Sequence, residues 1–106
     1  MKKPYLYVAA TTLLPWGHAD YRTKVGITSD PEQRARGILK YADGLKMVAI
    51  FKMPRDADGF EKVIKDDFSH SVIEGTTELF NAPEEDVLEH VLSMINHWKI
   101  PHERIL

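Results

Sequence analysis

Two short segments concentrate the residues that could do chemistry: Tyr5-Leu6-Tyr7-Val8, and Lys24-Val25-Gly26-Ile27-Thr28 followed by Asp30-Pro31-Glu32-Gln33-Arg34. A strand carrying tyrosine, a second strand carrying glycine and a helix offering arginine in its first exposed turn make a phosphate-directed arrangement, with Glu61 further along the chain. The chemistry such groups could serve is phosphodiester hydrolysis. Its dianionic, five-coordinate transition state needs charge neutralisation, a deprotonated water and help for the departing oxygen. Arginine brings a planar cationic fork that matches phosphate oxygens. A single carboxylate can hold Mg²⁺ when waters and substrate phosphate fill the other coordination positions. Each residue also has a purely structural use: Tyr7 packing beside Tyr5 on a strand face, Arg34 solvated in a helical turn, Glu61 favouring a helix N-terminus, and Lys24 laying its stem along a strand end.

The elements that must position these groups follow from local patterning. Residues 5–10 and 21–28 have strand composition, and the stretch between them, with Pro15 and Gly17, reads as a loop or wide hairpin connection. Asp30-Pro31-Glu32-Gln33 predicts a helix start: a capping carboxylate, proline at the first helical position, an acid in the first turn and Gln three residues after the cap. That helix is expected to end near Tyr41, with Asp43-Gly44 as the turn beyond it. Residues 45–53 read as a third, central strand. Phe60, Val63, Ile64 and Phe68 then recur at the period of an amphipathic helix. Glu74-Gly75 predicts a turn, 76–80 a short extended piece, and Asn81 with Glu84 a capped last helix over about 82–98, with Val87, Leu88, Val91, Leu92 and Ile95 as its apolar face. The expected fold class is α+β: one domain over 1–106, a small three-stranded, mainly antiparallel sheet flanked by helices, with a core over about 5–80 and an added C-terminal helix.

Composition narrows the function classes. The chain has 106 residues and no cysteine, so neither a disulfide framework nor a thiolate zinc site can be built. The longest apolar run, Met47 to Phe51, falls far below the ~20 residues of a membrane-spanning helix, and Lys2-Lys3 leads into no signal-peptide core. A soluble, cytoplasmic protein is expected. The five histidines show no i, i+4 pair of the kind a helical zinc site uses. The net charge of −2 gives no support to nucleic-acid binding by itself, but residues 1–55 carry ten Lys or Arg against four Asp or Glu, while residues 56–106 carry four against twelve. A basic surface built by the first half is expected, with Arg22, Lys24, Arg34, Arg36 and Lys40 as its DNA-contacting cations. The acidic second half could meet a protein partner or could simply be a solvated helical face.

The order strand, strand, helix, strand, helix resembles the GIY-YIG nuclease superfamily. Tyr5-Leu6-Tyr7 stands where that family has Gly-Ile-Tyr, and Lys24-Val25-Gly26 where it has Tyr-Ile-Gly, so lysine replaces the second motif tyrosine. Arg34 falls at the family's arginine and Glu61 at its metal-binding glutamate. The later segment, Glu61 through Phe68 to Thr77-Glu78-Leu79-Phe80, is similar to a phage-associated branch whose second motif reads Lys-Ile-Gly and in which a Glu-aromatic-Phe ending is usual, so that the resemblance covers about residues 5 to 80. The resemblance implies a Mg²⁺- or Mn²⁺-dependent DNA endonuclease of a bacterial or phage-infected cell, structure-directed or partner-directed. It implies Glu61 as metal ligand, Arg34 as phosphate clamp, Tyr7 orienting or deprotonating the attacking water, and Lys24 moving a proton or serving as a second cation. The family's asparagine has no counterpart here, Thr76, Thr77 and Glu78 being nearest. The competing expectation is a non-catalytic module that keeps the fold, such as a phage-encoded regulator of a protein or nucleic acid.

Overall fold

The computed structural model describes residues 3–11, 22–41, 45–72 and 79–106. Leu6, Val8, Val25, Ala49 and Phe51 are the alternate residues of three neighbouring strands, and their burial on one sheet face seeds the main core. The strands are β1 (Tyr5–Ala10), β2 (Thr23–Thr28) and β3 (Lys46–Lys52), with β1 central and antiparallel to both neighbours. Tyr7 lies opposite Gly26 on one side and Ile50 on the other, and the register on the β3 side shifts between Val8 and Ala9.

Two helices cover the Leu6–Val8 face. Helix α2 (Ala57–Asp67) applies Ala57, Phe60 and Ile64 to it, and helix α3 (Glu84–Trp98) applies Val87, Val91 and Ile95. The recurrence at three or four residues along each keeps its apolar side chains on one stripe. Helix α1 (Pro31–Tyr41) follows β2 directly: the Asp30 carboxylate accepts the Gln33 N–H at 3.2 Å, the cap its sequence predicts. The expected turns at 43–44 and 74–75 lie outside the described residues.

Two expectations need correction. Asn81 does not cap α3; the N-cap is Pro83, which accepts the Val87 N–H at 3.1 Å and offers no side-chain cap. Ala82 precedes that proline, and the proline ring excludes helical geometry from the residue before it, so the helix cannot reach back to Asn81. Glu84, Glu85 and Asp86 in the first turn favour the helix dipole instead. The sheet also has a fourth strand. Beyond α3 the chain turns through Lys99 (φ 51°) and Pro101, and β4 (Glu103–Arg104) pairs antiparallel with Phe51 and Lys52. Its two exposed polar residues carry no alternating pattern. What holds it is the open edge of β3, whose unpaired backbone groups accept another strand, together with the Arg104 guanidinium 5.5 Å from the Phe51 ring.

The outer edge of β2 is also bridged at its first residue, Thr23. Thr23 and Phe80 exchange backbone hydrogen bonds at 3.1 and 2.8 Å, and the Thr23 hydroxyl donates to Ala82 O at 2.7 Å. Residues 79–80 are thereby laid alongside the strand that bears Lys24.

Candidate functional site

Tyr7 sits at the middle of the central strand with its side chain on the face opposite Leu6 and Val8. There it joins a smaller cluster with Ala9, Leu45, Ile50 and Leu79, and no part of it is exposed. Gly26 makes this possible. A Cβ at position 26 would lie 2.5 Å from Tyr7 Cζ and 2.8 Å from Cε2, closer than real side-chain carbons approach. Gly26→Ala is therefore expected to displace the ring and cost about 1–3 kcal/mol, the usual range for overpacking a close-packed site. Chemical denaturation checks this, with Tyr7→Leu as the second background. The cost should largely vanish there, and an equal cost in both backgrounds would show that the clash is not with Tyr7.

Arg34 comes to Tyr7 from α1. Its Nε–H donates to the Tyr7 hydroxyl at 3.1 Å, and its guanidinium carbon lies 6.0 Å from the ring centroid, at the outer limit of a cation–π contact. The meeting is set by how α1 starts. Thr28, paired with Tyr5 across the sheet, accepts the Asp30 N–H at 3.1 Å, and the Arg34 N–H bonds Asp30 O at 3.0 Å to close the first helical turn. One turn after a fixed cap, the arginine lies over the strand just left. The residue is exposed overall, while its Nε is held by the tyrosine beneath. A guanidinium plane anchored at one edge is preoriented for planar phosphate recognition.

Lys24 shares this sheet face, opposite Ala9 and two residues before Gly26. It is 2 % exposed, so among the cations expected to meet DNA it presents no surface to a backbone phosphate in this conformation. Ala9 stands opposite it across the strand, and the neighbouring Thr23 bridges to Phe80 at the sheet edge. Arg22 and Arg36 are exposed as expected; the Lys40 side chain lies outside the described residues.

Glu61 is on α2. It flanks the apolar stripe of α2, four residues after Ala57 and three before Ile64, and α2 covers the sheet face opposite Tyr7, beside β2 and β1. Its side chain is 14 % exposed, with Oε1 3.6 Å from Lys65 Nζ. The structure thus joins Tyr7, Gly26 and Arg34 directly and sets Lys24 beside them. Among the described residues no hydrogen bond or ion pair links Glu61 to them. As a lone hard oxygen donor, Glu61 suits Mg²⁺ or Mn²⁺, ions that keep several waters. Zinc, which takes nitrogen and sulfur ligands, is a poorer match. Among the described residues no group of three or more His, Asp or Glu is gathered for a metal. Two hollows of about 650 and 390 Å³ lie on the α2 side, and neither is lined by Tyr7, Lys24, Arg34 or Glu61.

A protein-family profile, the T5orf172 domain, matches residues 4–99. The chain belongs to the T5orf172 domain family. This phage-associated domain is found in nuclease-like proteins. The match runs from just before β1 to just past α3 and leaves out β4. No curated protein and no solved structure matches the chain. Within this T5orf172 domain, Thr28 and Leu79 belong to the site although their sequence context did not single them out. Thr28 stands two residues before a capping Asp, a local hydrogen-bonding pattern that could have been recognised. Leu79 joins the Tyr7 cluster only through the edge pairing of Phe80 with Thr23, which leaves no local signal.

Proposed function

We propose that this T5orf172 domain is a GIY-YIG-like, metal-dependent DNA endonuclease, structure-directed or partner-directed, with Arg34 and Tyr7 at its centre. The observation that carries this reading is the 3.1 Å hydrogen bond between Arg34 Nε and the Tyr7 hydroxyl, in a family found in nuclease-like proteins. Arg34 clamps a phosphate oxygen and neutralises charge as the transition state develops. The Tyr7 hydroxyl, held by that arginine, is oriented toward the phosphate and its attacking water. Glu61 would hold Mg²⁺ or Mn²⁺, which when bound supplies Lewis acidity at a phosphoryl oxygen and a more acidic water. Arg22 and Arg36 add exposed positive charge for the DNA backbone.

The burial of Tyr7 and Lys24 favours a second reading, a non-catalytic nucleic-acid-binding or regulatory module. Incubation of the purified protein with supercoiled, linear, branched and single-stranded DNA and Mg²⁺ or Mn²⁺ separates the two. Catalysis predicts cleavage abolished by chelation. In both readings DNA affinity falls as salt rises, because phosphate contacts release counterions. Salt-dependent binding with no cleavage selects the binding module, and affinity indifferent to salt removes DNA from both.

A further inference from the structure

Two of the large apolar side chains most exposed among the described residues, Trp98 at 64 % and Val63 at 44 %, line one groove of about 390 Å³ between α2 and the end of α3. Its floor continues through Phe60, Met94, Ile100 and Pro101. Two cations, Arg55 and Lys99, stand on its rim, and neither makes an ion pair among the described residues. The carboxylate beside them, Asp56, accepts the Gly59 N–H at 3.2 Å and caps α2. The lining is therefore apolar with two cations against the one carboxylate of Asp56, a small positive excess, although residues 56–106 carry four basic against twelve acidic residues.

We propose that this groove docks an acidic protein segment, seating an apolar side chain against Trp98 and Val63 and placing adjacent carboxylates at Arg55 and Lys99. An exposed tryptophan bordered by arginine has the composition of an interface anchor, and the volume is that of a pocket taking one or two side chains. A single-stranded nucleic acid fits less well. Such strands are held by successive stacked aromatics, whereas this floor is largely aliphatic with one exposed ring. The groove is separate from the Tyr7–Arg34 site, so the proposal holds or fails independently of catalysis.

The test uses the full chain with Trp16→Phe, which leaves Trp98 as the sole tryptophan. A displayed library of random twelve-residue peptides is selected on the protein, and enriched peptides are resynthesised. Docking predicts peptides that pair a large apolar residue with Asp or Glu and shift Trp98 emission to shorter wavelength. It also predicts an affinity loss on the order of ten-fold or more in Trp98→Ala and in the Arg55→Glu, Lys99→Glu pair. All three residues are exposed, so the variants are expected to fold, which circular dichroism checks. No enrichment, enrichment of basic peptides, or binding unchanged in Trp98→Ala overturns the proposal. So does a shift of Trp98 emission produced instead by an oligothymidylate strand, or a Trp98-dependent dimer in sedimentation.

Discussion

Glu61→Ala is expected to abolish metal-dependent DNA cleavage while leaving DNA affinity unchanged or slightly tighter, and Arg34→Ala is expected to weaken both. The difference lies in charge. Glu61 is an anion that would hold the metal, so its removal also lowers repulsion toward phosphate. Arg34 is a cation fixed on the Tyr7 hydroxyl at 3.1 Å, and in the proposed nuclease its loss would remove both a phosphate contact and a transition-state clamp. Losing such a clamp costs on the order of 10² to 10³ in rate, well above what one exposed phosphate contact adds to binding. Neither change should unfold the protein. The Glu61–Lys65 pair is partly solvated, and such pairs contribute at most about 1 kcal/mol. Single-turnover cleavage and salt-titrated binding on the same preparations read the two effects separately. If wild type and both variants cleave at one trace rate, the activity is a contaminant and the binding-module reading takes its place.

Phe80→Ala should destabilise the domain by about 3–5 kcal/mol, the range for deleting a buried aromatic ring. Phe80 is 1 % exposed, stacks on Phe68 with centroids 5.5 Å apart, and bridges both Thr23 and Val72 through its backbone. Its neighbour Leu79 lies against the Tyr7 cluster, so loosening this segment exposes the sheet face that bears Lys24 as well as the core. Urea denaturation followed by circular dichroism measures the loss. A change below about 1 kcal/mol, typical of a surface substitution, would show that the segment is an ornament on β2 and not its closure.

Much of the architecture was legible because it rests on local rules. The strand composition of Tyr5 to Ala10 and the Asp30-Pro31 start located β1 and α1 at their observed bounds. The recurrence of Val87, Val91 and Ile95 identified the buried stripe of α3. The same rules overreached at Asn81, where a plausible capping residue was overridden by a steric effect two positions later at Pro83. β4 escaped for the opposite reason: two exposed polar residues have no pattern, and only the open edge of β3 calls them into the sheet.

By itself the sequence determined that this chain could build an α+β domain with arginine one turn into the helix that follows a glycine-bearing strand, because caps, prolines and apolar periods act within a few residues. Which of those residues meet was a tertiary decision. The register of β1 against β2 put Gly26 under the Tyr7 ring, and the cap at Asp30 brought Arg34 over its hydroxyl. The packing of α2, which bears Glu61, was set by Ala57, Phe60 and Ile64 against the Leu6–Val8 face, and Lys24 came to be buried on the other. Strand register and layer packing depend on contacts between segments far apart in the chain, and spacing along one strand or helix carries no record of them.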